Sequence, residues 1–171
     1  MGGEDLIPRE RIEIFHEMER RYRMRDVDYF RRLTRHHDMT VRARATCILA
    51  EIGGKECIPD LVEVLLKDEN PIVRHEASYA LGQLGYREAI PYLIESALKD
   101  PHFIVRHESA IALGVIGRKE AEEALRKALD DESVEVRDSA IIALSNIAYC
   151  EQLYSGELDP EKLSFARKTG G

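Results

Sequence analysis

The dipeptide Val-Arg returns at nearly constant spacing along this chain: Val41-Arg42, Val73-Arg74, Val105-Arg106 and Val136-Arg137, in steps of 32, 32 and 31 residues. A period of that length restricts a chain to a repeat architecture, because one supersecondary unit cannot bury its apolar face alone and must stack on copies of itself. Each Val-Arg opens a helix-like run: ATCILAEIG, ASYALGQLG, SAIALGVIG and SAIIALSNIA. Three of these runs lead into a second amphipathic segment: CIPDLVEVLLKD, AIPYLIESALKD and AEEALRKALDD. Turns at Gly53-Gly54, Gly85 and Gly117 punctuate the series. The pattern predicts an array of helical hairpins, one per period.

The signature VR-x-x-A-x-x-ALG-x-[LI]-G resembles short HEAT-like repeats of the bilin-lyase type, over about residues 38–150. That resemblance implies an all-α fold, a solenoid (superhelix) of about four to five hairpins. Before the repeats, Ile12 to Arg23 and Asp26 to His37 read as a charged helical pair, so residues 1–37 are expected to form an N-terminal cap. Residues 151–171 read as a tail with a Ser155-Gly156 break, a short helix from Asp159 and a loose Thr169-Gly170-Gly171 end.

Composition narrows the class further. The 171 residues are 44% hydrophobic and 33% charged, which suits one ordered core rather than two domains. A net charge of −7 argues against a nucleic-acid groove and favours cationic partners. No apolar run approaches the roughly 20 residues of a membrane span, and the acidic N-terminus lacks the apolar core of a signal peptide. Cys47, Cys57 and Cys150 are odd in number and lack CxxC spacing, as expected for packed, reduced thiols of a cytoplasmic protein.

One motif inside the repeats carries chemistry. His75-Glu76 and His107-Glu108 follow Val-Arg in the second and third copies, 32 residues apart. Val73, Ala77, Ala80, Leu81 and Leu84 mark a buried helix face. At roughly 100° per residue His75 falls opposite that face and Glu76 on its flank. His107 and Glu108 repeat this against Val105, Ala112, Leu113 and Ile116, so all four are expected to look out over one shared concavity. One turn beyond lie Tyr79 and Ile111, then Gly82 and Gly114. Apolar and very small residues on a solvent side invite close approach by a substrate or partner chain. The competing reading is that these glycines end their helices early.

Two imidazoles and two carboxylates suit a first-row metal that mixes N and O donors, iron or manganese ahead of zinc. Packed helices lie roughly 8–10 Å apart, so histidines on neighbouring repeats are too far apart to saturate one ion unaided. They suit half of a two-metal site, with ions roughly 3.5–4 Å apart gripped from both sides. The alternative is that Glu merely favours a helix N-terminus and His beside it is solvated.

The stretch VRHEASYALGQLGYREAIPYLIESALKDPHFIVRHESAIALGVIG is similar to the paired HE-containing repeats of deoxyhypusine hydroxylase. VRARATCILAEIGG and VRDSAIIALSNIA resemble the repeats on either side of that pair. The resemblance implies a non-haem di-iron monooxygenase that uses dioxygen to hydroxylate a deoxyhypusine side chain on a translation factor. In that family two four-repeat halves face one another, each contributing two HE pairs. Carried over, the metal ligands are His75, Glu76, His107 and Glu108, with no further catalytic residue assigned. This chain has only one such half, and His16-Glu17 lacks the Val-Arg and Ala-Leu-Gly context of a true pair. A homodimer, with two iron ions per dimer, is the arrangement that supplies the missing half. A metal-free HEAT module binding a peptide or subunit on its concave face is the competing expectation. Bilin-lyase proteins share the repeat, but nothing here selects a tetrapyrrole.

Overall fold

The computed structural model describes residues 8–154, and they are helical nearly throughout. The helices are α1 (Arg9–Arg23), α2 (Val27–Leu33), α3 (Met39–Gly53), α4 (Ile58–Lys67), α5 (Pro71–Leu84), α6 (Ile90–Lys99), α7 (Phe103–Ile116), α8 (Glu122–Ala128) and α9 (Val134–Tyr154). The chain is an α-solenoid. Helices α3, α5, α7 and α9 pack side by side as one layer, and α4, α6 and α8 line up behind them as the other. Helix α2 joins that second layer through an ion pair from Arg31 to Asp60 on α4, and Arg35, just past the end of α2, pairs with Glu63 of α4.

Local chemistry sets where each helix begins and ends. Asp26, Asp38 and Asn70 accept backbone N–H groups at the starts of α2, α3 and α5, and the His102 ring nitrogen does so for α7 at 3.3 Å. Gly85 (φ 72°) and Gly117 (φ 66°) close α5 and α7 in the left-handed region, which glycine enters without steric cost.

The repeat period is written in the core. Val41, Val73, Val105 and Val136 are all fully buried, and so are Ala45, Ala77, Ser109 and Ala140 one turn on. Leu49, Leu81 and Leu113 fill the space between the two layers together with Leu61, Leu93 and Leu125 from the second layer. The small residue in each copy lets neighbouring helices of the first layer approach closely.

The arginine of each Val-Arg has an equally regular partner. Arg42 binds Asp68, Arg74 binds Asp100 and Arg106 binds Asp131, each through two hydrogen bonds of 2.7–3.0 Å. Arg74 and Arg106 also donate to the backbone carbonyls of Asp68 and Asp100, in the loops just before their own helices. Each aspartate accepts in turn from a backbone N–H two residues on, of Asn70, His102 and Ser133. The loop between layers is thereby fastened to the preceding repeat by a bidentate pair that is almost wholly buried.

Two boundaries differ from the sequence-based division. Helix α2 packs most closely with α3, as α4 does with α5, α6 with α7 and α8 with α9. It is therefore the first half of the first hairpin, and α1 alone caps the array by lying against α3. The Val-Arg dipeptide marks the second helix of each hairpin, so counting from it shifts the unit by one helix. At the other end α9 continues past residue 150 to Tyr154. The expected helix from Asp159 and the Thr169-Gly170-Gly171 end lie outside the described residues. Among the described residues no helix is long and apolar enough to cross a membrane.

Candidate metal centre

His75 and Glu76 on α5, and His107 and Glu108 on α7, lie in the second turn of adjacent helices of one layer. His75, Glu76 and His107 are half-buried, while Glu108 is only 8% exposed. The row is thus sunk into the layer rather than standing clear of it.

The decisive contact crosses the repeat boundary. His75 Nε2 lies 3.3 Å from Glu108 Oε2, and His75 Nδ1 lies 3.6 Å from Glu76 Oε1. The imidazole stands between two carboxylates, Glu108 foremost and Glu76 second, and their pull outweighs burial and raises its pKa to about 9. Glu76 is held below the usual carboxylate range, mainly by His75, against an opposing effect of burial. Its other oxygen accepts from the Cys47 thiol at 3.0 Å. Burial first and Glu76 second push that thiol up to about 12, so Cys47 is a hydrogen-bond donor and not a nucleophile at neutral pH.

The same register runs down the layer. His75 on α5 meets Glu108 on α7, and His107 on α7 meets Ser139 on α9, Nδ1 to Oγ at 2.6 Å. Ser139 occupies the glutamate position of the last copy, as Arg44 does in the first. Arg44 instead lies over the Phe15 ring of α1, 4.1 Å from its centre. Sequence reasoning gave neither the Cys47–Glu76 nor the His107–Ser139 contact, although the period points to both: each partner sits on the neighbouring helix at the height of the His-Glu row.

Of the four residues expected to form a substrate or partner surface, only Tyr79 is exposed, at 46%. Ile111, Gly82 and Gly114 are buried. The physical reason lies within the chain: a Cβ on Gly82 would stand 2.8 Å from the Cβ of Ala112 and 2.9 Å from its Cα. Gly82 admits the neighbouring helix α7, and no outside partner is needed to explain it. The Gly114 carbonyl accepts from Asn146 of α9 at 2.7 Å, another contact inside the layer. Neither glycine ends its helix, since α5 runs to Leu84 and α7 to Ile116.

The remaining histidines stand apart from this row. His16 is exposed on α1, and Glu17 beside it is engaged by Arg20 and Arg21. The His36 and His37 rings lie 4.2 Å apart, tilted by 33° to each other, in the loop after α2, and His36 Nδ1 accepts from the Asp38 N–H. Among the described residues no cluster of three or more His, Cys, Asp or Glu side chains is arranged to hold a metal ion unaided.

Comparison with known proteins agrees with this architecture. The model of the HEAT repeats family matches residues 28–114 and 93–155, so the match begins within α2. The structure of human deoxyhypusine hydroxylase in complex with glycerol is similar at a TM-score of 0.67 and 30% identity, over 74% of this chain. The chain spans 45% of that enzyme's chain. A search of curated protein sequences gave no match. The matches to the family model, from α2 to the end of α9, show that this chain belongs to the HEAT-repeat family.

Proposed function

We propose that this chain supplies half of a di-iron monooxygenase site similar to that of deoxyhypusine hydroxylase, and that a second copy supplies the other half. The observation that carries this reading is the pairing of His75 with Glu108. Two donors bound to one ion at about 2.1 Å and near a right angle are about 3.0 Å apart. The separation of 3.3 Å between Nε2 and Oε2 is close to that spacing. A positive charge is moreover favoured at this spot, because the same two carboxylates hold a proton on His75. A divalent ion that displaced that proton would meet a lone pair on Nε2 and a carboxylate oxygen beside it. The donor set fits a cation of the iron type.

Glu76 and His107 flank that pair on either side along the layer. Four donors spread over two adjacent helices suit half of a shared site, with the ions gripped from both sides. Two copies related by a two-fold axis would present four His and four Glu to two ions. When bound, the iron pair would supply the oxygen chemistry for hydroxylating a C–H bond. The protein's own residues hold the ligands: Cys47 orients Glu76, and the buried wall around Glu108 limits water at its carboxylate. A net charge of −7 suits a protein substrate that carries a cationic, polyamine-like side chain.

Anaerobic loading with Fe(II), desalting and metal analysis test the proposal, with molar mass measured on the same samples. The expected result is about one iron per chain in a dimer, lost in both His75→Ala and Glu108→Ala. No retained iron in a folded wild-type chain would overturn it. The exposed Tyr79, Ile141 and Ile142 would then mark the surface of a metal-free interaction module.

A further inference from the structure

We propose that Ser139 is a positioning residue that fixes His107 in the tautomer carrying hydrogen on Nδ1, so that Nε2 presents the ring's lone pair to a metal. Its link to a metal rests on the reading above, while the tautomer itself rests on hydrogen-bond geometry alone. Ser139 is 2% exposed on α9, facing α7. Its Oγ makes two short contacts, one to the Glu135 carbonyl oxygen at 2.6 Å and one to His107 Nδ1 at 2.6 Å. Each contact needs a hydrogen between its heavy atoms. A serine hydroxyl has one to give, and a carbonyl oxygen has none. The hydroxyl hydrogen lies toward Glu135, because two oxygens at 2.6 Å repel without one. The hydrogen of the second contact therefore belongs to Nδ1, and Ser139 accepts it.

The consequence for the ring follows directly. Once neutral, an imidazole with hydrogen on Nδ1 has its only lone pair on Nε2. A histidine side chain left to water favours the opposite tautomer, so Ser139 works against the ring's own preference. This is the usual way a polar neighbour selects the metal-binding nitrogen, by holding the other one.

The comparison with His75 shows why the last repeat carries serine. The long Glu108 side chain meets His75 at Nε2 and stands beside it as a second donor, while Glu76 lies near Nδ1. Ser139 takes the same place in the next helix, but its short side chain reaches only the nitrogen nearer the backbone. One histidine thus has a carboxylate partner at its outer nitrogen, and the other has a support at its inner nitrogen. The two positions of the period do different work, and the Glu-to-Ser change at residue 139 is what separates them.

The test uses the full chain labelled with 15N in histidine, free of metal, at a pH where the His107 ring is neutral. Long-range proton–nitrogen correlation spectra distinguish a protonated from an unprotonated ring nitrogen, and His107→Gln assigns the signals. The wild type is expected to show Nδ1 protonated and Nε2 bare. Ser139→Ala is expected to move His107 toward the Nε2-protonated form, and Ser139→Thr, which keeps the hydroxyl, to restore the wild-type pattern. His75 signals unchanged in both variants certify the fold. A wild-type ring with hydrogen on Nε2, or an Ser139→Ala ring identical to wild type, would overturn the assignment. A zinc titration of the same samples separates the two ideas. Wild-type zinc shifts at His107 Nε2, with about tenfold weaker binding in Ser139→Ala, support both. A fixed tautomer with no zinc response supports the role of Ser139 and removes the metal site.

Discussion

His75 on α5 and Glu108 on α7 meet across a repeat boundary, Nε2 to Oε2 at 3.3 Å, although they are 33 residues apart in sequence. The ring's second nitrogen faces Glu76, so the imidazole is favoured in its charged form in the absence of metal. Replacing Glu108 by Gln removes the larger influence and should bring the His75 pKa from about 9 down toward its ordinary 6.5. An NMR titration of the ring checks this. The sign for stability follows from the raised value. The stabilisation is complete below pH 6.5 and is lost as pH rises through 9, by roughly 2 kcal/mol for a partly exposed ring. Urea melts at pH 6 and pH 9 should differ by that amount in the metal-free wild type, and by much less in Glu108→Gln.

The buried Arg74–Asp100 pair predicts a larger loss. Its side chains are 11% and 7% exposed, and Asp100 also caps the approach to α7 through the His102 N–H. Removing one partner leaves a charge without compensation, at a cost of about 3–5 kcal/mol. Arg74→Ala should therefore lower the thermal midpoint by about 10 °C or more. An Arg35→Ala control, whose pair with Glu63 is about half exposed, should barely move it.

Gly82→Ala tests how tightly the layer is packed. The added methyl would meet the Ala112 Cβ and Cα at under 3 Å, and backbone cannot swing aside as a flexible side chain would. Overpacking of this kind costs about 1–3 kcal/mol. The double variant Gly82→Ala/Ala112→Gly should recover part of the loss, which a denaturant melt would show; a loss unchanged by the second substitution would assign it to something other than this contact.

Much of this was legible in the sequence, because the period fixes equivalent positions. The buried valine of each Val-Arg, the helix-closing Gly85 and Gly117, and the His-Glu row all follow from aligning the copies. What the alignment of copies does not convey is how close neighbouring helices of one layer come. Gly82 and Ile111 look outward when one helix is considered alone, and they are covered once α7 and α9 are set beside it. The spacing argument also treats histidines as facing histidines across 8–10 Å. In the structure the contact is diagonal, from His75 to Glu108, and a long glutamate closes the gap. The Arg-Asp ladder could have been found from the sequence, since Asp68 and Asp100 each follow their arginine by 26 residues and Asp131 by 25.

The response of stability to ferrous iron joins the proton on His75 to the proposed metal. Iron that binds only the folded chain stabilises it by about 2.7 kcal/mol at a hundredfold excess over its dissociation constant. For a chain of this size that is a rise in melting temperature of roughly 5–10 °C. Binding must displace the His75 proton, so the rise should be small at pH 6 and grow toward pH 8, opposite in sign to the metal-free trend. If each ion is also gripped by a second copy, the rise should increase with protein concentration at fixed excess of iron. Anaerobic thermal melts at two pH values and two protein concentrations read both dependences. A rise that ignores concentration would show that one copy holds its iron alone, and a rise that ignores pH would show that the iron does not sit on His75.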